Sequence, residues 1–267
     1  MHKSTQEEAV NKGFSKIYSH YEYLSKNNPI DIAMRQQVYK HIEHFLVPNS
    51  AILEINSGSG IDAVYFAKKG YSIVASDISD GSQKYIEQKI KDLNLPNLSF
   101  EKCSFTNLNS LSKNRFDYVF SNFGGINCTE NPAKIINDLH QMLPKDAIIT
   151  LVIMGKYYPW DWIYLLKGKF NRAFIRLKKK KATANVEGEQ VQTYYFSPKS
   201  IKTIIKDSFQ LLKIENLGVL YPSVNHTSIT KHQSWMKKLI ALESNNWIKK
   251  CIPKGIGDYY IITFQKK

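Results

Sequence analysis

The sequence has no long hydrophobic run and few cysteines. No apolar stretch among its 267 residues approaches the roughly 18 residues of a membrane-spanning helix. The N-terminal MHKSTQEEAVNKGF lacks the apolar core of a secretory signal. Cys103, Cys128 and Cys251 are far apart and form no CxxC pair, so neither a disulfide framework nor a metal site is expected. These absences predict a protein of the reducing cytoplasm.

Acidic residues are also scarce. There are 23 Asp and Glu residues against 37 Lys and Arg, which leaves a formal net charge of +14. Such an excess attracts nucleic acid, phospholipid head groups or acidic carrier proteins, without choosing among them. Solvated lysine-rich faces would explain the same charge without any partner.

Short apolar segments alternate with helical segments in the middle of the chain. Because the strand segments are β-branched and almost continuously apolar, they indicate a parallel sheet covered on both faces. The alternation predicts a doubly wound α/β domain. The predicted strands are 51–55, 71–76, 97–102, 116–122 and 146–153, and the predicted helices are 61–69, 80–93 and 132–143.

The pattern changes after residue 153. Residues 155–195 contain aromatic residues and a basic run but no clear strand, whereas a helix is predicted at 197–207 and strands at 209–217 and in the final DYYIITFQ. The first residues read as helices. We therefore divide the chain into a helical cap (1–46), a main domain (47–154 and 197–267) and an inserted lid (155–196).

A glycine-containing turn follows the first predicted strand. Gly58, Gly60 and Ala63 fit a GxGxxG/A fingerprint, and Asp77 ends the next strand, as in nicotinamide-binding enzymes. The glycines come late, however, after an acidic strand end at Glu54 and after Asn56, a residue type that tolerates positive φ. The turn lacks the GK[ST] sequence that cradles nucleoside triphosphates.

Together these residues resemble the class I S-adenosylmethionine-dependent methyltransferases of the small-molecule type. Their first motif, [DE]-x-G-x-G-x-G, reads Glu54-x-Asn56-x-Gly58-x-Gly60 here, and Asp77 in VASDIS matches the second. FDYVFSNFGGIN, MLPKDAIITLVI and the N-terminal FSKIYSHYE extend the likeness. The resemblance implies a Rossmann-like, seven-stranded, mostly parallel sheet with an antiparallel last strand, helices on both faces and an inserted lid.

The resemblance also implies roles in binding S-adenosyl-L-methionine. Asp77 would accept hydrogen bonds from the ribose hydroxyls, although it would also suit a helix cap. Glu54 would order the glycine turn or bind the amino group, and Asn122 would line the cleft or shape a turn. The family often has an acidic residue near Ser104, which is missing here. The complete predicted set is Tyr21, Arg35, Glu54, Asn56, Ser57, Gly58, Gly60, Asp77, Ile78, Ser104, Phe105, Asn122 and Phe123.

The acceptor is less well defined. The [ND]PP[YFW] motif of adenine and glutamine methyltransferases is replaced by Asn122-Phe123-Gly124-Gly125, which makes nucleic acid a less expected partner. We expect a small organic acceptor, aromatic, anionic, or linked to a carrier or lipid. RNA methylation and NAD(P)-dependent oxidation are the alternatives. His226, in the loop YPSVNHTS, is the candidate general base, beside His20, Tyr195 and Asp161.

The segment 157–182 combines aromatic and basic residues. From 167 to 181 it has eight basic residues and no acid. Phe170, Ala173, Phe174 and Leu177 have the spacing of one apolar helix stripe. The stripe would pack on the domain while the lysines face water. Alternatively, the segment touches an anionic membrane surface or an acidic carrier protein.

Overall fold

A computed structural model describes residues 3–111, 115–178, 181–223, 233–245 and 251–267. Its helices are α1 (Lys3–Asn27), α2 (Pro29–Glu43), α3 (Ile61–Lys68), α4 (Asp80–Asp92), α5 (Pro132–Met142), α6 (Ile163–Leu166), α7 (Phe170–Ala173), α8 (Ile175–Lys178), α9 (Pro198–Ile205) and α10 (Gln233–Glu243). Its strands are β1 (Ala51–Ile55), β2 (Ser72–Asp77), β3 (Leu98–Lys102), β4 (Tyr118–Ser121), β5 (Ile148–Met154), β6 (Lys181–Val186), β7 (Glu189–Tyr194), β8 (Phe209–Leu217) and β9 (Tyr259–Lys266). Within these ranges, no helix combines the length and apolarity needed to cross a bilayer.

Seven strands form one sheet in the order β3-β2-β1-β4-β5-β9-β8. The strands β1 to β5 run parallel to one another, and β9 is antiparallel to both of its neighbours, β5 and β8. The strand order reverses between β1 and β4, where β1 pairs with both β2 and β4. In open α/β sheets, this reversal creates a crevice at the carboxyl ends of the strands. The predicted doubly wound fold with an antiparallel last strand is confirmed.

The sheet is covered on both faces, as its apolar strands predict. In β4, Tyr118 and Phe120 pack with α2, α3 and α10, whereas Val119 packs on the opposite face with α5 and α9. Successive strand side chains point to opposite faces, which explains this split. A strand between two apolar layers has no polar side, so its sequence is continuously hydrophobic.

Local capping positions the helices around the crevice. Asn28 caps α2 by accepting hydrogen bonds from the Ile30 and Asp31 amides, and Ser79 caps α4 by accepting one from Ser82. Asn131 caps α5, whose first residue is Pro132. Such side chains satisfy amides that have no partner within the helix.

The lid contains an antiparallel hairpin, β6–β7, where the sequence shows no clear strand. Helix α1 packs along this hairpin. The Gln6 side chain donates to the Gln192 carbonyl and accepts from its amide, both at 3.2 Å, in the manner of a neighbouring strand. A Cβ on Gly13 would lie 2.9 Å from the Val186 carbonyl oxygen, so the two elements touch closely.

The predicted continuous apolar stripe of the lid is wrong. The helix is divided into α7 and α8, with Phe174 between them at φ −111°. Ala173 is buried, whereas Phe170 is 61% exposed and Leu177 is 40% exposed. These side chains therefore do not form one face packed on the domain.

Candidate functional site

A cavity of about 540 Å³ lies at the carboxyl ends of β1, β2 and β4. Helices α1 and α2 and the β6–β7 hairpin form its other walls. The volume is in the range of ordinary ligand pockets. Ten of the predicted site residues line it: Tyr21, Arg35, Asn56, Ser57, Gly58, Asp77, Ile78, Phe105, Asn122 and Phe123.

The turn between β1 and α3 has a left-handed backbone at three positions. Asn56 has φ 60°, as its residue type permits, and Gly58 and Gly60 have φ 55° and 76°. At Gly60 an added Cβ would lie 2.5 Å from Ile86 Cγ1, so this glycine allows α3 and α4 to approach. Ser57 is buried, and its hydroxyl has no hydrogen-bond partner among the described residues. Such an orphaned group in a cavity wall suits a bound polar ligand.

Asp77 ends β2 beside this turn. Its carboxylate accepts hydrogen bonds from the Gly58 amide at 3.0 Å and the Ser79 amide at 2.9 Å. Burial raises the pKa of Asp77, and these backbone amides oppose that shift. Ser79, not Asp77, caps α4. Asp77 lines the cavity, so its carboxylate lies beside the space that a ligand would occupy.

Glu54, Gly60 and Ser104 are predicted site residues that do not line the cavity. Glu54 is 1% exposed and accepts a hydrogen bond from the Ala63 backbone, which connects β1 to the first turn of α3. Burial and the nearby Asp62 raise the pKa of Glu54 well above its usual range. This contact favours the turn-ordering role of Glu54, while its Oε2 atom has no hydrogen-bond partner among the described residues.

A carboxylate stands beside Ser104 after all. The Ser104 hydroxyl donates to Glu7 Oε1 at 2.8 Å, and the Thr106 hydroxyl donates to the same oxygen at 2.7 Å. Glu7 belongs to α1, nearly a hundred residues earlier in the chain. Tertiary packing of α1 therefore brings a carboxylate to Ser104, although neither residue lines the cavity.

Arg35 is held between two carboxylates at the cavity wall. Its Nε donates to Asp31 at 2.8 Å and its Nη1 donates to Asp62 at 2.6 Å. The guanidinium carbon lies 4.7 Å from the centre of the Phe123 ring. The two carboxylates hold the pKa of Arg35 above its ordinary value despite burial. These bonds do not use all of the guanidinium donors.

Asp62 is the centre of this wall, although it is not among the predicted site residues. Its carboxylate also accepts from the Tyr39 hydroxyl at 2.5 Å and from Asn122 Nδ2 at 2.8 Å. Asp62 therefore couples α2, α3 and the end of β4. The sequence signal for Asp62 is its position two residues after Gly60, in the first turn of a short helix, where an acidic side chain is favourable.

A second buried arginine fastens the lid. Arg176 donates to Asp258 Oδ1 at 2.6 Å, and its Nε lies 2.9 Å from Asp161 Oδ2. The rings of Tyr158 and Tyr195 face its guanidinium at 4.6 and 5.2 Å. The predicted candidates Asp161 and Tyr195 thus belong to an anchoring cluster, although Tyr195 also lines the cavity. His20 lines the cavity as well, and His226 lies outside the described residues.

The cavity wall is acidic although the whole chain is basic. Among the described residues that line the cavity, Arg35 is the only Lys or Arg, and it is already paired with two carboxylates. Such a surface favours cationic ligands and opposes anionic ones. The lining carboxylates belong to Asp31, Asp62, Asp77 and Asp258, of which Asp258 is paired with Arg176.

Comparison with known proteins agrees with this architecture. Residues 52–146 match the family model of a methyltransferase domain. A search of curated proteins finds no match. A Methanosarcina mazei S-adenosylmethionine-dependent methyltransferase structure is 18% identical, with TM-score 0.58, covering 85% of this chain and 97% of that one.

Two other similar structures contain bound S-adenosylhomocysteine. The Synechocystis magnesium protoporphyrin IX methyltransferase is 12% identical, with TM-score 0.61, and the match covers 98% of this chain and 100% of that one. The Burkholderia thailandensis 1,6-didemethyltoxoflavin-N1-methyltransferase is 14% identical, with TM-score 0.57, and covers 97% and 88%. At these identities the likeness concerns the fold. The residues that match the methyltransferase-domain model include the glycine turn and Asp77, and the structural likeness covers most of the chain, so the chain is similar to S-adenosylmethionine-dependent methyltransferases in its fold.

Proposed function

We propose that this protein transfers the methyl group of S-adenosylmethionine to a small, uncharged or cationic organic acceptor enclosed by α1 and the β6–β7 hairpin. The observation that carries the proposal is the buried Asp77 carboxylate, which is held by the Gly58 amide in a left-handed turn on one cavity wall. A carboxylate in this position suits a sugar diol.

The residues present fit the cofactor. Asp77 would accept from the ribose hydroxyls, and the orphaned Ser57 hydroxyl would gain a partner. Ile78 and Phe105 offer apolar surface to the adenine. When bound, S-adenosylmethionine supplies an electrophilic methyl group on a sulfonium. The carboxylates of Asp31 and Asp62 place negative charge near Arg35, in a wall that suits a cationic ligand.

The acceptor would be held by the part of the cavity that the lid encloses. Phe14 and Ile17 of α1 face this space, as do Ala184 and Val191 of the hairpin. These apolar walls would displace water from a bound acceptor and would align it with the reacting methyl group. Thr193 adds a polar group from the hairpin. The acidic wall argues against an anionic acceptor, because like charges repel at short range in such a site.

The first test concerns the cofactor and uses calorimetry with S-adenosylhomocysteine. Asp77→Ala should weaken binding by about 10-fold or more, since a hydrogen bond to a charged group contributes about 1.5–3 kcal/mol. The matched control is Asp80→Ala, because Asp80 is an exposed residue at the start of α4. Equal affinity of the two variants would remove Asp77 from the site. Binding of NADH but not S-adenosylhomocysteine would contradict the proposal and favour the oxidoreductase.

The second test concerns the acceptor. Wild-type protein is incubated with methyl-labelled S-adenosylmethionine and matched sets of neutral, cationic and anionic small molecules. We expect label in neutral or cationic compounds. Transfer confined to anionic compounds would overturn the acceptor assignment while leaving the cofactor assignment intact.

A further inference from the structure

The lid presents an exposed apolar tip that the enzymatic role does not use. Leu166 ends α6 and is 89% exposed, and Phe170 begins α7 and is 61% exposed. Trp162, just before α6, is 47% exposed. Large apolar side chains of this kind are costly in water when they cluster, so they mark an interaction surface.

Basic residues flank the tip. Lys167 and Lys169 stand on either side of Gly168 between the two short helices, and Arg172 follows on α7. All three are exposed. From 167 to 181 the sequence has no acidic residue, so no carboxylate of this segment offsets the charge. The tip therefore combines exposed apolar side chains with exposed positively charged side chains.

The inner side of the same segment is fixed. Arg176 joins the lid to the start of β9 through Asp258, and it contacts Tyr195 in the cavity wall. The basic run is thus divided, with one guanidinium buried as an anchor and the earlier cations facing solvent.

We propose that the lid tip, defined as Trp162, Leu166, Lys167, Lys169, Phe170 and Arg172, docks the protein on an anionic lipid bilayer. Leu166 and Phe170 insert among the acyl chains near the head groups, while the lysines and arginine contact anionic phosphates. These side chains are exposed and do not line the cavity, which suits contact with a lipid surface. Lys167, Lys169 and Arg172 complement the charge of anionic head groups, which favours an anionic bilayer as the partner.

The test is co-sedimentation of the full chain with vesicles of phosphatidylcholine alone or mixed with phosphatidylglycerol. The wild-type protein should bind the mixed vesicles and bind pure phosphatidylcholine weakly. Lys167→Glu/Lys169→Glu should weaken binding to the mixed vesicles about 10-fold or more. Lys199→Glu/Lys202→Glu on α9 changes the net charge equally and alters two exposed residues elsewhere, so it is the matched control.

A second pair of variants tests insertion. Leu166→Ser/Phe170→Ser should weaken vesicle binding about 10-fold, whereas Val47→Ser/Leu93→Ser, at two other exposed apolar positions, should have little effect. Affinity for S-adenosylhomocysteine reports whether each variant is folded. Equal loss in the tip and control variants of either pair would show that vesicle binding does not depend on the tip and would overturn the proposal. Tip-dependent binding to RNA or an acidic protein, without vesicle binding, would also overturn it.

Discussion

Two buried arginines show how similar side-chain clusters serve different regions. Arg35 pairs with Asp31 and Asp62 in the cavity wall, whereas Arg176 pairs with Asp161 and Asp258 beneath the lid. Each guanidinium also faces aromatic rings. The first cluster connects α2, α3 and β4 around a ligand space, and the second connects an insertion to the sheet. The two arginine clusters have similar composition, so they differ in the elements that each one joins.

The largest expected effect breaks the lid cluster. Arg176→Met leaves the Asp161 and Asp258 carboxylates buried without their cation, so the free energy of unfolding should fall by about 3–5 kcal/mol. Denaturant unfolding measures the loss. The control is Arg172→Met in the same basic run, where an exposed side chain should change stability by about 0.5 kcal/mol or less. Similar stability of the two variants would refute the anchoring role.

Two Gly→Ala substitutions compare the glycine turn between β1 and α3 with the β6–β7 hairpin. Gly60→Ala combines a φ of 76° with a 2.5 Å approach to Ile86 and should cost about 2–3 kcal/mol of stability. Gly188→Ala has a φ of 91° but open space around it, so backbone strain alone should cost about 1 kcal/mol. Thermal or denaturant unfolding measures both. Equal losses would mean that the α3–α4 contact has no energetic weight.

Two Asp→Asn variants, one in each arginine cluster, separate ligand binding from anchoring of the lid. Asp62→Asn alters the partner of Arg35 and Asn122 in the cavity wall, so affinity for S-adenosylhomocysteine should fall about 10-fold. Asp161→Asn makes the matching change in the lid cluster and should change that affinity less than about 2-fold. Calorimetry distinguishes them. A larger loss from Asp161→Asn would reverse the assignment of the two clusters.

The smallest expected effect is a pH dependence. Burial raises the pKa of Asp161 from 3.8 to about 6, against the opposing effect of Arg176. The folded state therefore binds the proton more tightly than the unfolded state does. The associated stability is present below pH 4, approximately, and is lost as the pH rises through about 6. The whole shift corresponds to about 3 kcal/mol, and solvent screening of the partly exposed side chain reduces the expected loss, relative to Asp161→Asn, to about 1 kcal/mol in denaturant unfolding. A difference independent of pH would contradict the raised pKa.

The sheet region and the lid also differ in how far sequence reasoning reaches. The strands β1 to β5 lie within one or two residues of their predicted bounds, because β1, β2, β4 and β5 are compact apolar segments inside the sheet; the edge strand β3 is mostly exposed. The β6–β7 hairpin was missed. Its segments KATANV and EQVQTY are polar and half exposed, so their strand pattern is weak without the packing of α1.

The site shows the same division. The local motif of Glu54, Gly58 and Asp77 identified the turn and the end of β2, since their roles depend on backbone close at hand. Glu7 beside Ser104 and Asn122 beside Asp62 could not be found in this way. Neither pair is adjacent in sequence, and their distances depend on how cap, helix and sheet pack.

By itself, the sequence determined the class of sheet, the glycine turn and the acidic end of β2, because apolar periodicity and left-handed backbone preferences act over a few residues. The tertiary structure decided which arginine serves the cavity, which one anchors the lid, and which basic residues remain exposed. Those outcomes depend on burial and on partners far apart in the chain, where a charge is stable only if folding supplies its counter-charge.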